Sequence, residues 1–182
     1  YIDEAASFHT WQEIAAATVP DLICEIVTCT GTEIASALAA IDTTRRRMDT
    51  GEAELAFAGG IDIGRKRDAT EITLIGMDHT ENRPIRLAVS LHKTPYREQA
   101  AVIDAMMRTL PIARCYIDSN GIGAQLAEDA ELMHPGAAFG YTFSNPSKAA
   151  MATLTKKTLQ LGQLQIPADR DLRYQMHAIK RG

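Results

Sequence analysis

Between residues 55 and 92, three apolar, β-branched segments follow one another with only short polar links: "LAFAGGIDIG", "TEITLIGMD" and "PIRLAVSLH". Strands joined by links this short have no room for a crossover, so they must meander antiparallel. The period then changes. "YREQAAVIDAMMRTL" places Ala101, Val102, Ala105, Met106 and Leu110 on one helical face. After it come a short buried strand, "IARCYIDS", a helix behind a glycine turn, "GIGAQLAEDAELM", and a fifth strand, "AAFGYTF". Strands separated by helices run parallel to each other. The order therefore predicts a mixed five-stranded α/β sheet flanked by helices.

Further elements extend this frame. "NPSKAAMATLTKKTLQLG" reads as a helix with Asn145 as N-cap, Pro146 in the first turn and Gly162 past the end. "QLQIP" is a short extended piece, and "DRDLRYQMHAIKRG" opens another helix with Asp169 and Asp171 as capping residues. Upstream, residues 32 to 47 form a helix ended by Gly51, within a connecting segment spanning 21–54. The resulting succession of elements is that of the ribonuclease H-like fold.

Composition narrows the function classes. The 182 residues are 46% hydrophobic and 23% charged, in the range of soluble globular domains. The net charge is -4, so any nucleic-acid contact must come from local patches such as Arg65, Lys66 and Arg67. Cys24, Cys29 and Cys115 form no CxxC pair and read as reduced structural thiols. With no long apolar run or signal-peptide pattern, a soluble, intracellular protein with no membrane partner is expected. His79, His92, His134 and His177 lack catalytic partners at recognisable spacing and read as surface or loop residues.

Two acids carry the chemistry. Asp62 sits within an otherwise apolar strand, where an unpaired buried carboxylate would cost several kcal/mol, of order 1–5. Asp118, in "CYIDSNGIG", closes the fourth strand of the series. If the first and fourth strands are neighbours, the two carboxylates meet at a sheet edge of the kind that binds ligands. Paired hard oxygens suit Mg²⁺ or Mn²⁺, two ions sharing the site, and two-ion phosphodiester hydrolysis. Gly64, Gly121 and Gly123 would let a phosphate backbone approach. Lys148, at a helix start near the presumed cleft, and Arg65, Lys66 and Arg67 are candidate DNA contacts.

"GGIDIGRKRDATEITLIG", "CYIDSNGIGAQLAEDA", "SKAAMATLTKKTLQLGQLQIP" and "DLRYQMHAIKRG" come in the order and spacing of a large terminase nuclease domain. The resemblance covers about residues 55–182 and is nearest to the form in Mu-like phages and prophages. It implies a domain that cleaves concatemeric double-stranded DNA, with Asp62 and Asp118 as metal ligands. Asp68 matches a further acid, an auxiliary ligand in one reading and a hairpin residue in the other. By the same resemblance, a third acid would lie beyond "LRYQMHAIKR", past Gly182, leaving the site incomplete and weakly active.

"YIDEAASF", in a fragment spanning 1–20, resembles the Walker B strand end of a terminase ATPase, with Asp3 holding Mg²⁺ and Glu4 activating water. No phosphate-binding G-x-x-x-x-G-K-[ST] loop accompanies it, so ATP with Mg²⁺ would need a complete ATPase domain. The family implies a portal protein and a small terminase subunit as partners, at the procapsid in the host cytoplasm. Three alternatives stay open: a RuvC-type resolvase, an actin-like or sugar-kinase-like ATP-binding domain suggested by "GIDIG", and a non-catalytic prophage remnant that binds DNA.

Overall fold

A computed structural model describes residues 7–64 and 68–179. The meander is present as β3 (Ala56–Asp62), β4 (Thr70–Met77) and β5 (Arg83–His92), with both pairings antiparallel. After helix α3 (Tyr96–Thr109), strand β6 (Ile112–Asp118) returns parallel to β3. Helix α4 (Gly123–Met133) then leads to β7 (Ala138–Tyr141), parallel to β6. These five strands stand in the order β5-β4-β3-β6-β7.

The sheet is larger than the five strands expected, with eight among the described residues. Strand β2 (Glu25–Thr30) runs parallel along β5, from Glu25 beside Leu87 to Thr30 beside His92. Below it, β8 (Leu164–Pro167) pairs with the start of β5, and β1 (Thr18–Val19) pairs with β8. Residues 25–49 thus lie in and on the same sheet, with α2 (Ala35–Asp49) packed beside α3. Polarity in β2 runs against its burial. Ile26 is exposed, while Glu25 is half-buried against Arg47, whose Nη2 is 2.8 Å from Glu25 Oε1.

One face of the sheet is closed. Phe57, Leu74, Leu87, Cys115 and Ile117 are fully buried there beneath α2, α3 and α4, in one core with Ala37, Val102 and Met106. Among the described residues, the opposite face is covered only at the end where β5 starts. There Ile14 of α1 (Trp11–Ala17), Leu159 of α5 (Asn145–Gln160) and Ile166 of β8 form a second core with Ile85, and Leu172 and Met176 of α6 (Arg170–Ala178) pack against it.

α5 ties the covered end to the uncovered one. Lys156 Nζ donates to the Phe8 carbonyl at 2.8 Å and to Glu13 Oε2 at 3.0 Å, and Gln160 Nε2 donates to Glu13 Oε1 at 2.9 Å. Burial by itself would raise the Glu13 pKa. The Thr10 amide, Lys156 and Gln160 outweigh it and bring the pKa down to about 2. The cap of α5 is Ser144 rather than Asn145, because Ser144 and Ser147 bond reciprocally in a capping box. Asp169 caps α6 as expected, its Oδ1 accepting from Leu172 N at 2.8 Å. His177 is not a surface residue. It is 2% exposed, stacked on Trp11 at 4.2 Å and bonded through Nδ1 to the His9 carbonyl at 3.0 Å. No helix among the described residues is long and apolar enough to cross a membrane.

Candidate active site

The register of β3 and β6 decides the site. Ile61 lies beside Ile117 in parallel pairing, so the next residue on each strand, Asp62 and Asp118, ends the two strands side by side. Alternation sends Ile61, Ile63 and Ile117 into the helix-covered core and the two acids to the other face. Asp62 is exposed and Asp118 half-buried. The expectation of a carboxylate buried within an apolar strand is therefore corrected. Asp62 is the last residue of β3, and it escapes the core by parity.

The two charges still oppose each other. Partial desolvation of its carboxyl raises the Asp62 pKa, the neighbouring Asp118 charge raises it further, and Asp68 adds to this. Lys148, in the first turn of α5, pulls the other way. Asp118 is held in place: its Oδ1 accepts from Asn120 N at 2.9 Å, and Asn120 Nδ2 donates to the Phe143 carbonyl at 3.1 Å. Gly123 lies so near this turn that a Cβ would stand 2.2 Å from the Asp118 carbonyl oxygen. At Gly64 a Cβ would meet the Ala69 carbonyl oxygen at 2.2 Å. Both glycines serve close approach of the chain to itself, where the sequence suggested room for a phosphate.

Asp62, Asp118 and Lys148 thus come together at the carboxyl ends of β3 and β6. Asp68 is exposed and lines a separate cavity of about 450 Å³ with Lys93, Thr94 and Gln99, on the Ile63 side of the strand. Arg65, Lys66 and Arg67, and Asp3 and Glu4, lie outside the described residues. Among the described residues, no three His, Cys, Asp or Glu side chains gather to hold a metal ion. The donor set is the carboxylate pair. That set fits Mg²⁺, which commonly takes one or two protein carboxylates and completes its shell with water and substrate phosphate.

Sequence reasoning missed the surroundings of the pair. Glu71 stands opposite Asp62 across the β3–β4 ladder, and its Oε2 accepts from Ser90 Oγ at 2.5 Å. The polar alternation of Glu71 and Thr73 between buried Ile72 and Leu74 was the available signal. Beside the acids runs an open groove of about 590 Å³, floored by Gly60 and walled by Tyr116, Tyr141 and Phe143 on one side and Met151 and Leu154 of α5 on the other.

The model of the terminase RNaseH-like domain family matches residues 59–181, more than half of the chain, and the match includes both acids and Lys148. The chain belongs to that family. Solved structures agree in fold. The large terminase nuclease of thermophilic phage G20c with bound cobalt superposes at TM-score 0.59 and 19% identity, over 69% of this chain and 64% of that one. The same nuclease with bound magnesium gives 0.58 and 16%, over 69% and 65%. The large terminase of bacteriophage HK97 gives 0.52 and 10%, over 73% of this chain and 35% of that one. This chain thus spans just under two thirds of these G20c chains and about a third of the HK97 protein. No curated protein matches it in sequence. As a terminase RNaseH-like domain, it has the five central strands expected, with β3 and β6 neighbours, and additional strands along β5.

Proposed function

We propose that this domain is the metal-dependent endonuclease of a viral DNA-packaging large terminase, cutting concatemeric double-stranded DNA. The observation that carries this reading is the pair Asp62 and Asp118, set on adjacent parallel strand ends of an open face, with like charges that raise the Asp62 pKa. A divalent cation compensates such a pair, and hard carboxylate oxygens suit Mg²⁺ or Mn²⁺. The G20c nuclease, which shares the fold, has been solved with magnesium and with cobalt bound. When bound, two such ions supply an activated water and charge neutralisation at the leaving oxygen.

The chain's own residues do the rest. Asp62 and Asp118 would hold the ions, and the Asn120 amide keeps the Asp118 carboxylate oriented toward its strand end. Lys148 contacts a phosphate of the bound strand, while Asp68, on the neighbouring rim, acts as an auxiliary acid. Arg65, Lys66 and Arg67, three to five positions beyond Asp62 in the sequence, grip the DNA backbone independently of base sequence and weaken as salt rises. In the complete packaging machine, Asp3 and Glu4 belong to an ATPase that uses ATP with Mg²⁺, and the portal protein and small subunit are the partners. Its place of action is the cytoplasm of the infected bacterial host, at the procapsid.

Supercoiled plasmid incubated with Mn²⁺, Mg²⁺ or EDTA tests the reading. In the full-length protein, nicking and linearisation are expected with Mn²⁺ or Mg²⁺ and none with EDTA. Asp62→Ala and Asp118→Ala should each lower the rate by about 10²-fold or more, the scale of losing a principal electrostatic stabiliser. Undiminished cutting by either variant removes the proposal. No cutting by the wild-type protein, together with no Mn²⁺ binding by calorimetry, would favour a DNA-docking remnant or an ATP-binding domain.

A further inference from the structure

The groove beside the acids is chemically unlike them. Tyr116, 42% exposed on β6, lies 5.9 Å from Tyr141 in a T-shaped pair and 5.7 Å from Phe139. Tyr141 in turn meets Phe143 edge-on at 5.3 Å. Their rings form a wall that starts at the strand end bearing Asp118, since Tyr141 is the register partner of Asp118. Met151 and Leu154, both exposed, form the opposite wall on α5.

The floor is bare. A Cβ built on Gly60 meets nothing within 4 Å, so the backbone of β3 presents a flat surface between the two walls. Asp62 shares the groove, and α5 brings Lys148 near Asp62 at one end of it. A slot about 590 Å³ in volume, aromatic along Tyr116, Tyr141 and Phe143 and polar where Glu71 and Thr73 of β4 line it, opens at Asp62, with the Lys148 ammonium near that carboxylate. One ligand chemistry has this polarity within a single residue, a nucleotide: a flat apolar-faced base joined to a phosphate.

We infer that the groove receives a nucleobase unstacked from the DNA strand whose phosphate lies at Asp62 and Asp118, so that the domain grips locally opened rather than fully paired DNA. The inference rests on the nuclease reading for the position of the phosphate. The base is held by stacking on Tyr116, with Tyr141, T-shaped to that ring, against its edge; such stacking tolerates any sequence because every base has a π-face. Gly60 is the residue that admits it.

Binding measured without turnover tests this, with Ca²⁺ in place of Mn²⁺ and three labelled probes. These are a short single-stranded oligonucleotide, the same strand with abasic residues, and the corresponding duplex. The wild-type chain should bind the intact single strand about tenfold more tightly than the abasic strand, the scale of one base–aromatic stack. It should also prefer the single strand to the duplex. Gly60→Val, which fills the slot from its floor, and Tyr116→Ala, which removes its wall, should each bring intact-strand affinity down to that of the abasic strand. Thermal melting of both variants identifies a folding defect, and the variant that melts normally decides the result. Equal wild-type affinity for intact and abasic strands overturns the inference, as does a base preference that survives both substitutions. Self-association that Gly60→Val abolishes, without any base preference, gives the groove to a second copy and also overturns it. The plasmid assay with Asp62→Ala reads the nuclease proposal separately, because the base preference is measured without cleavage.

Discussion

The two faces of the central sheet are built from the same strands and do opposite work. On β3, Phe57, Gly59 and Ile61 point beneath α2, α3 and α4, and Gly60 and Asp62 point to the open side. On β6, Cys115 and Ile117 face inward, Tyr116 faces the groove, and Asp118 lies on the same open side. The covered face holds the register, and that register alone sets Asp62 beside Asp118. Adjacent glycines record the difference most directly. A Cβ on Gly59 would stand 2.7 Å from Leu74 Cδ2 and 3.1 Å from Cys115 Sγ, while one on Gly60 meets nothing. Gly59 exists because the core is full, and Gly60 because the groove is empty.

Paired substitutions sharpen the contrast. Phe57 is fully buried, so Phe57→Ala should cost about 3–5 kcal/mol in urea unfolding, whereas Tyr116→Ala on the open face should fall within about 1 kcal/mol of wild type. Comparable losses at the two positions would mean that the open face is covered in solution. Gly59→Val should cost about 1–3 kcal/mol by overpacking, and Gly60→Val should be neutral or slightly stabilising through better strand propensity. Equal costs at the two glycines would break the assignment of faces.

The same contrast explains what could be read from the sequence. β3, β4 and β5 were legible because their inward positions are mostly apolar over seven or more residues, enough to establish a period of two, and β6 because it is a short apolar run ahead of a glycine turn. Asp62 and Asp118 were legible as acids at strand ends. That Asp62 would be exposed was not, because Gly59 and Gly60 carry no side chain to mark a face and only Ile61 and Ile63 are left to set the alternation. β1 and β8 span two and four residues, too few to show any period. β2 reads against its own burial, with Ile26 outward and Glu25 satisfied by Arg47, so only tertiary context makes it a strand. The aromatic groove was invisible for a different reason. Tyr116, Tyr141 and Phe143 come from β6, β7 and the loop after β7, and only the β6–β7 register brings them into contact.

The smallest effect expected is also the most specific to the open face. Asp62 has a folded-state pKa above its unfolded value, which for a carboxylate is about 3.9. Between those two values the folded chain binds more protons than the unfolded one, so stability falls as pH rises through the window. Asp62→Asn removes that titration. In EDTA the variant should melt about 1–2 °C above wild type at pH 7, a small gain because Asp62 is exposed and its charge is screened. The gain should vanish below about pH 4, where the wild-type carboxylate is protonated in both states. Mn²⁺ should reverse the order at pH 7, because a cation bound by Asp62 and Asp118 stabilises only the chain that keeps both ligands. A buried acid in an apolar strand would have produced a much larger shift in EDTA, and an acid whose carboxyl is fully solvated would have produced none. An intermediate shift that changes sign with metal is the signature of a carboxylate placed at a strand end to wait for a cation.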